Sequence, residues 1–510
     1  MSTKGMPPVV FAVDPNYAKR VFIWTFGLTL LLKLWLAAAF PFTGDEAFFY
    51  QWGVYPDWGY SDHPPMVGWM LYGLNQISSH PLSLRFGTVL LWSVIALGMV
   101  DLLRRLATTQ PAAPYWLGAL FLALPFTWGL NVVTTDTPLI FFVFWSGYCF
   151  IRAHMSGRLA WFAASGVFLG LALLSKYFAG LLAIAYFVYL VRSRKGWLPL
   201  FIIAACALPF AAVNVAYNIT HCWSNVMFNL VNRHEDAAWS VKTFAGYLAM
   251  LIYLVTPWVF VRLVRSGNAF KQYGPIVALF LVPFALFLIL STRKTIGLHW
   301  VLSFIPFVYL FYGVFAHPQE LKKYLRWTVW FSVPHFLALA AIILLPVSVW
   351  EGSKFHDDIV FHKNTGEIVA ALKRDLPQEG VIMATAYTPA SLLSYHAQSY
   401  LPVFGEGKFH ARQDDVEVDF RQYSGKPVRI FSRYALEAET YAPYLDNVTI
   451  STFDVAGVTY WVADGENFNY AAYRANVLAK IMQEYYRIPS ALPLYGCGFL
   501  ERYSFPRPAP

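Results

Sequence analysis

A short polar segment between two apolar stretches near the N-terminus brings together side chains that can do acid–base chemistry. Asp45 and Glu46 follow Gly44, and Asp62 and His63 stand later in the same loop. Only 13% of the residues are charged, so a cluster of carboxylates is uncommon in this chain. A carboxylate at a partly desolvated membrane edge can accept a proton from a hydroxyl or an amine. An acid beside a span can equally cap the following helix, and the residues alone leave both interpretations open.

Further charged or titratable residues stand at the ends of apolar runs. Asp136 lies in the segment 134–138, where it could cap the next helix or reach the same cavity as Asp45. Lys176 lies between two apolar runs, where a lysine is costly and either marks a site or extends to the interface. His63 precedes two prolines that fix a turn, so its role is either structural or directed at a ligand.

Cationic residues of the later loops could supply an anion-binding pocket. They are Arg233, Arg293, Lys294 and His299. Each of them taken alone is explained by a contact with lipid headgroups. Taken together with Lys176, they offer a cationic pocket opposite the acidic loop, and such a pocket suits a phosphate leaving group.

The composition indicates the environment in which this chemistry takes place. The chain has 510 residues, of which 57% are hydrophobic and 18% aromatic, and its mean hydropathy is +0.46. Repeated apolar runs of about 20 residues match the hydrocarbon thickness of a bilayer. We therefore predict a polytopic α-helical membrane protein, and we expect a monomer. The net charge of +9 is modest and lies in loops, so we expect no nucleic-acid partner.

The apolar runs predict about eleven transmembrane helices, within a range of about ten to thirteen. They cover residues 21–40, 86–103, 115–132, 139–151, 160–174, 178–191, 198–217, 244–264, 275–290, 301–315 and 327–349. Residues 66–77 are predicted to form a helix at the membrane interface. Basic residues are more frequent in the loops on the same side of the membrane as the N-terminus. The N-terminus is therefore predicted to lie in the cytoplasm. The acidic first loop and everything after residue 349 then lie outside.

This topology divides the chain into two domains. Residues 1–349 form the membrane domain, with the first outer loop at 41–82, and residues 350–510 form a small outer α/β domain. In the latter, 381–384, 428–431 and 459–462 are predicted strands, and 366–374 and 471–486 are predicted helices. Cys222 and Cys497 fall outside the apolar runs, and we predict that they pair if both face an oxidising compartment.

At this point the motifs resemble a known family. They are Gly44-Asp45-Glu46-Ala47, the segment from Gly59 to Pro65, the segments 134–139, 173–177 and 214–223, and His299-Trp300. These resemble the bacterial protein-mannosyltransferase-like glycosyltransferases, which have the GT-C fold and whose superfamily includes the aminoarabinose transferases acting on lipid A. The resemblance covers roughly the first 320 residues in order. It implies a donor of the polyprenyl phosphate monosaccharide type and transfer on the periplasmic face of the bacterial inner membrane.

The resemblance also implies roles for individual residues. Asp45 matches the essential acid of the first loop, Asp136 the second acidic motif, and Lys176 the lysine that binds the donor phosphate. Asp62 and His63 stand where the aminoarabinose transferases carry acid-Lys-Pro-Pro, whereas His-Pro-Pro is found in the protein mannosyltransferases. The aminoarabinose branch has thirteen spans, which is more than we count here.

The predicted reaction is an inverting glycosyl transfer with Asp45 as the base and no required cofactor. The residues predicted to bind substrate are Glu46, Asp62, His63, Asp136, Lys176, Arg233, Arg293, Lys294 and His299. A divalent metal near Asp62 and His63 is a less favoured alternative. Lipid A or lipopolysaccharide is the favoured acceptor, and a protein hydroxyl or another envelope glycan is the alternative. Two rivals of other classes are a transporter for a lipid-linked sugar and a non-catalytic binding or assembly protein.

Overall fold

The computed structural model describes residues 14–193, 196–230, 239–407 and 413–506. Up to residue 344 the described chain is helical, because apolar runs in a bilayer must satisfy their backbone groups internally. The helices of this part are α1 (Pro15–Ala39), α2 (Gly44–Val54), α3 (Met66–Asn75), α4 (Pro81–Leu84), α5 (Phe86–Leu106), α6 (Ala113–Leu122), α7 (Pro125–Gly129), α8 (Asp136–Ser156), α9 (Leu159–Leu173), α10 (Ala179–Arg192), α11 (Trp197–Thr220), α12 (Ser224–Leu230), α13 (Val241–Val255), α14 (Pro257–Val264), α15 (Gly267–Gln272), α16 (Gly274–Ser291), α17 (Leu298–Val301), α18 (Ile305–Phe315) and α19 (Pro318–Leu344).

The helices confirm a multi-pass membrane protein but not the number of spans. Six segments of the described chain are long and apolar enough to cross a bilayer: α1, α4 with α5, α8, α11, α16 and α19. A seventh span is obtained if α13 and α14, which are bent by 101° relative to each other, are counted as one. The shorter apolar helices α6, α9, α10 and α18 coincide with the remaining predicted spans. By length and composition the predicted number of eleven is therefore not confirmed.

Beyond α19 the chain folds into an α/β unit. Its elements are α20 (His356–Lys363), α21 (Thr365–Lys373), β1 (Val381–Ala384), α22 (Tyr387–Ala397), α23 (Asp414–Glu417), β2 (Val428–Ser432), α24 (Ala438–Tyr441), β3 (Asp446–Val455), β4 (Val458–Glu466), α25 (Tyr470–Tyr473), α26 (Ala479–Tyr485) and α27 (Gly498–Arg502). The four strands form one sheet in the order β1-β2-β4-β3. β1 pairs with β2 in parallel, and the other neighbours are antiparallel.

Most of the elements predicted for the C-terminal part are confirmed. The predicted strands correspond to β1, β2 and part of β4, and the predicted helices correspond to α21 and to the stretch from α25 to α26. β3 was missed by the sequence analysis. It is an edge strand whose residues are mostly exposed, so it needs no apolar run and carries none of the signal that marks a buried strand.

The α/β unit packs directly on the first loop of the membrane part. One hydrophobic cluster includes Phe42 and Tyr50 from the loop together with Tyr395 from α22. The rings of Phe42 and Tyr395 lie 4.3 Å apart, and the Tyr395 hydroxyl donates a hydrogen bond to the Ser79 carbonyl at 2.9 Å. This packing holds α22 against the first loop.

A disulfide makes a second connection between the two parts of the chain. It joins Cys222, which lies between α11 and α12, to Cys497, which precedes α27. The predicted pairing of Cys222 with Cys497 is confirmed. The other two cysteines, Cys149 and Cys206, are free.

Candidate active site

The predicted polar residues meet at a cavity of about 490 Å³ between the helical part and the α/β unit. Six of the side chains singled out from the sequence line it: Asp45, Asp62, His63, Asp136, Lys176 and His299. Tyr387, the first residue of α22, also lines it. The remaining wall is largely aromatic and aliphatic. A cavity of this size and mixed character is typical of a site for a small ligand.

Asp45 is placed at the cavity by the start of α2. The Thr43 hydroxyl accepts a hydrogen bond from the Glu46 amide at 3.3 Å, and the Glu46 carboxylate accepts one from the Thr43 amide at 3.1 Å. This reciprocal capping box fixes where the helix begins. Asp45 therefore lies in the first turn, where the helix dipole favours a negative charge. Its side chain is exposed toward the cavity.

The neighbouring carboxylate, Glu46, points the other way. Glu46 and Arg85 are both completely buried, and the Arg85 guanidinium donates to the two carboxylate oxygens of Glu46 at 2.7 and 2.6 Å. The Val133 amide donates to the same carboxylate at 3.0 Å. Glu46 does not line the cavity, because its oxygens are occupied inside the protein. The prediction that Glu46 binds substrate is therefore corrected: its contacts are structural.

Arg85 was not singled out by the sequence analysis, and it connects three elements. Besides Glu46, its guanidinium donates to the carbonyls of Ala37, Phe40 and Pro41 at 3.1, 2.8 and 2.9 Å. These carbonyls belong to the end of α1 and the residues after it. Arg85 thereby holds the end of α1, the start of α2 and the start of α5 together, and it sets the position of Asp45 indirectly.

Asp136 and Lys176 form an ion pair at the wall of the cavity. The Lys176 Nζ donates to both carboxylate oxygens of Asp136, at 3.0 and 2.8 Å, and the two side chains are 9% and 6% exposed. Asp136 is the first residue of α8. The Nε2 atom of His299 lies 3.9 Å from the same carboxylate, and the His299 side chain is about half exposed. An anion in the cavity would find these two cationic or titratable groups next to Asp136.

Asp62 and His63 form the third polar group of the cavity. Their turn is held by a hydrogen bond from the Tyr60 amide to the His63 carbonyl at 3.0 Å, and the Met66 amide that follows the turn donates to the Leu174 carbonyl. The His63 Nδ1 lies 3.1 Å from Asp62 Oδ2, but the geometry of this contact is not that of a hydrogen bond. Within the described parts of the chain, Asp62 Oδ1 is buried and has no hydrogen-bond partner.

Two of the remaining predicted cations do not line the described cavity. Arg293 and Lys294 follow α16, and neither is among the side chains that line the cavity in the described structure. For these two residues the described structure does not support the predicted cationic pocket at the cavity. Arg233 lies outside the described residues. Among the described residues, no group of three or more His, Cys, Asp or Glu side chains is arranged to hold a metal ion.

Tyr387 is a polar cavity residue that the sequence analysis missed. Its hydroxyl donates to Asp45 Oδ1 at 3.3 Å, although the two residues lie 342 positions apart in the sequence. Burial, reinforced by the negative charge of Asp45, raises the pKa of Tyr387 to about 12. The phenol therefore keeps its proton near neutral pH and remains a donor. No motif around Tyr387 distinguishes it from an ordinary helix start.

Comparison with known proteins supports the resemblance that the motifs indicated. Residues 62–221 match the family described as dolichyl-phosphate-mannose-protein mannosyltransferase. This segment includes Asp62, His63, Asp136 and Lys176, and it covers less than half of the chain. No curated protein sequence matches the chain at the level of similarity that we required.

The fold is similar to that of ArnT from Cupriavidus metallidurans. The structure of that protein in the apo state matches with a TM-score of 0.61 and 16% identity, over 88% of this chain and 98% of that one. Its structure bound to undecaprenyl phosphate matches with a TM-score of 0.60 and 14% identity, over 87% and 98% of the two chains. At this identity the likeness establishes the fold. The family match over residues 62–221 and the shared fold together confirm that this chain resembles the protein-mannosyltransferase-like glycosyltransferases of the GT-C fold.

Proposed function

We propose that this protein is an integral membrane glycosyltransferase that moves a monosaccharide from a polyprenyl phosphate donor to an acceptor of the cell envelope. The single observation that carries the proposal is one cavity lined by both the exposed carboxylate of Asp45 and the Asp136–Lys176 pair. The cavity therefore holds a candidate base and a candidate phosphate ligand together. The proposal is also supported by the family match and by the undecaprenyl phosphate bound to the structurally similar ArnT.

In the proposed reaction Asp45 acts as the general base. It takes the proton of the acceptor hydroxyl or amine, whose oxygen or nitrogen then forms a bond to the anomeric carbon. The bond between that carbon and the phosphate oxygen breaks on the opposite face, and its electron pair leaves with the polyprenyl phosphate. The configuration at the anomeric carbon is inverted. Asp45 is not needed as a helix cap, because Thr43 caps α2.

The leaving phosphate needs positive charge more than it needs an acid. Lys176 is the described cation that we assign to it, and the Asp136 contact holds the ammonium group ready at the cavity. As the phosphate approaches, it shares the ammonium protons with Asp136, which stabilises the charge that develops in the transition state. His299, which lies next to Asp136 and is exposed to the cavity, is assigned to the same region.

The sugar and acceptor hydroxyls are assigned to the remaining polar side chains. Asp62 offers a buried carboxylate oxygen with no partner in the described chain, and His63 lies beside it at the cavity wall. Positioning by such hydrogen bonds contributes to the rate because it removes orientational freedom before the reaction. We propose that the transfer needs no metal ion. If a divalent ion takes part, Asp62 and His63 are the residues that would contact it.

The proposed setting follows the predicted topology. The protein lies in the bacterial inner membrane as a monomer, with the N-terminus in the cytoplasm and the α/β unit in the periplasm. Lipid A or another part of lipopolysaccharide is the favoured acceptor, and a protein hydroxyl is the alternative. The transporter alternative is less well supported, because the polar side chains gather at one cavity next to the α/β unit. Lys33, a buried lysine on α1, donates instead to Ser93 of α5.

The test is a transfer assay with purified protein and a labelled polyprenyl phosphate sugar. We expect release of the polyprenyl phosphate and transfer of the label to lipid A, with a loss of both in Asp45→Asn. Movement of the intact donor across vesicles without release of the phosphate would instead establish a transporter. Label on protein rather than on lipid would identify the protein acceptor. A chelator such as EDTA is expected to leave the rate unchanged.

A further inference from the structure

We infer that Tyr387 of the α/β unit is a positioning residue for Asp45, and that it orients this carboxylate in the cavity. The catalytic consequence of this inference rests on the proposed function, whereas the contact between the two residues does not. Asp45 is contributed by the helical part of the chain, and Tyr387 by the first residue of α22 in the α/β unit. The α/β unit would therefore complete the candidate active site.

The contact between Tyr387 and Asp45 is direct. The phenol hydroxyl donates to Asp45 Oδ1 at 3.3 Å, and both residues line the cavity. A donor on one carboxylate oxygen restricts rotation of the group, so that the other oxygen, Oδ2, is left for the acceptor proton.

The starts of the two helices are packed together closely enough to maintain this contact. A Cβ atom at Gly44 would collide with the side chain of Thr388, so α2 and α22 approach each other at a glycine. The ring of Phe48, one turn further along α2, meets the Tyr387 ring edge to face with centroids 5.5 Å apart. The phenol is thus held by packing on its ring as well as by the contact of its hydroxyl with Asp45.

Burial keeps Tyr387 in the state that the contact requires. It raises the pKa of the phenol to about 12, with a further contribution from the charge of Asp45. A deprotonated phenol would be an acceptor and would repel the carboxylate. The other charged or titratable groups that face Asp45 across the cavity or lie beside it are Asp62 and His63 from the turn before α3, Asp136 from α8, Lys176 from the segment after α9, His299 from α17, and Glu46, which is paired with Arg85. Tyr387, in contrast, makes a direct hydrogen bond to Asp45.

Tyr395 provides a matched control on the same helix. Its hydroxyl also donates from α22 to the first loop of the helical part, at the Ser79 carbonyl, but it does not line the cavity. Tyr395→Phe removes a hydrogen bond between the two parts of the chain without touching Asp45. Tyr387→Phe removes the bond to Asp45 and keeps the ring that packs on Phe48. A difference between the two variants therefore reports on Asp45 rather than on general docking of the α/β unit.

The first experiment measures how firmly Asp45 is held, without relying on transfer. The full-length protein and both variants are treated with a carbodiimide at one pH, and the rate at which Asp45 is modified is quantified by mass spectrometry. We expect Asp45 to be modified about fivefold faster in Tyr387→Phe, because the carboxylate has lost a hydrogen bond, and at an unchanged rate in Tyr395→Phe. Equal rates in the wild type and Tyr387→Phe would overturn the inference, whether or not the protein proves to be a transferase.

The second experiment connects the contact to turnover. In the transfer assay, Tyr387→Phe should lower kcat by about tenfold at neutral pH, with a smaller change in the KM of the donor. Tyr395→Phe should leave kcat unchanged. A lowered kcat in Tyr387→Phe together with an unchanged rate of Asp45 modification would show that Tyr387 acts through the stability of the protein and not through Asp45. Absence of transfer in the wild type would refute the proposed function, and the modification experiment would still decide the inference.

Discussion

On α2, Asp45 faces the cavity, whereas Glu46, the next residue, faces the packed interior. Both are carboxylates, and they differ in what surrounds them. Asp45 is exposed and contacts the hydroxyl of Tyr387. Glu46 is completely buried, and Arg85, Thr43 and Val133 supply its hydrogen bonds. The comparison teaches that a charged group in a mostly apolar chain is not by itself a sign of chemistry.

A second comparison concerns the two buried ion pairs. The Glu46–Arg85 pair has side chains with no exposure, whereas the Asp136–Lys176 pair retains a small exposed fraction toward the cavity. A sealed pair that satisfies its hydrogen bonds holds elements in place, and breaking it leaves an uncompensated charge. A pair at a cavity wall can exchange one partner for a ligand. Mutation of the Glu46–Arg85 pair should therefore lower stability, whereas mutation of the Asp136–Lys176 pair should also weaken binding of the donor.

The largest effect on activity is expected from Asp45→Asn. The amide cannot accept a proton, so transfer should fall by about 10²- to 10⁴-fold, as measured by release of labelled polyprenyl phosphate. The fold should be unaffected, because Thr43 rather than Asp45 caps α2. Thermal unfolding in detergent is the control measurement. Turnover close to that of the wild type would remove Asp45 from the mechanism.

The largest effect on stability is expected from Glu46→Gln on the other side of the same helix. Arg85 would remain buried without its counter-charge, which costs about 3–5 kcal/mol. We expect a lower thermal midpoint and a lower yield of monodisperse protein. Asp45→Asn serves as the matched control, since it changes the neighbouring acid in the same way. Equal stability of the two variants would contradict the division of roles on α2.

Lys176→Met should affect both stability and donor binding, and a double variant separates the two. The single variant leaves Asp136 without its partner and removes a phosphate ligand, so we expect lower stability and an increase of about tenfold in the KM of the donor. Replacing both residues, with Asp136→Asn and Lys176→Met, should recover stability but not donor binding. Recovery of both quantities would show that this pair is structural, like Glu46–Arg85.

The smallest effect is expected from Arg293→Ala. Arg293 is exposed and does not line the cavity, and substitutions at such positions usually change stability by about 0.5 kcal/mol or less. We expect the rate of transfer to change by less than about twofold, with Lys176→Met as the comparison. A tenfold increase in the KM of the donor would instead support the cationic pocket that was predicted from the sequence.

Much of the arrangement could be predicted from local features of the sequence. The apolar runs predicted helices, and the polar segments between them identified Asp45, Asp62, Asp136 and Lys176, which the fold places around one cavity. Three of the four strands were recognisable because they are buried and apolar, whereas β3 is a mostly exposed edge strand. The number of membrane spans was harder to predict, because a short apolar helix and a complete span have the same composition.

The sequence by itself determined that this is a multi-pass helical protein and which polar residues are candidates for its chemistry, because hydrophobicity and local motifs depend on neighbouring residues. Only the tertiary structure decided which candidates face the cavity. Glu46 is removed from it by Arg85, and Tyr387 is brought to Asp45 by the packing of α22 on α2. Both outcomes depend on contacts between residues far apart in the chain, and nothing in the local pattern around either residue records its partner.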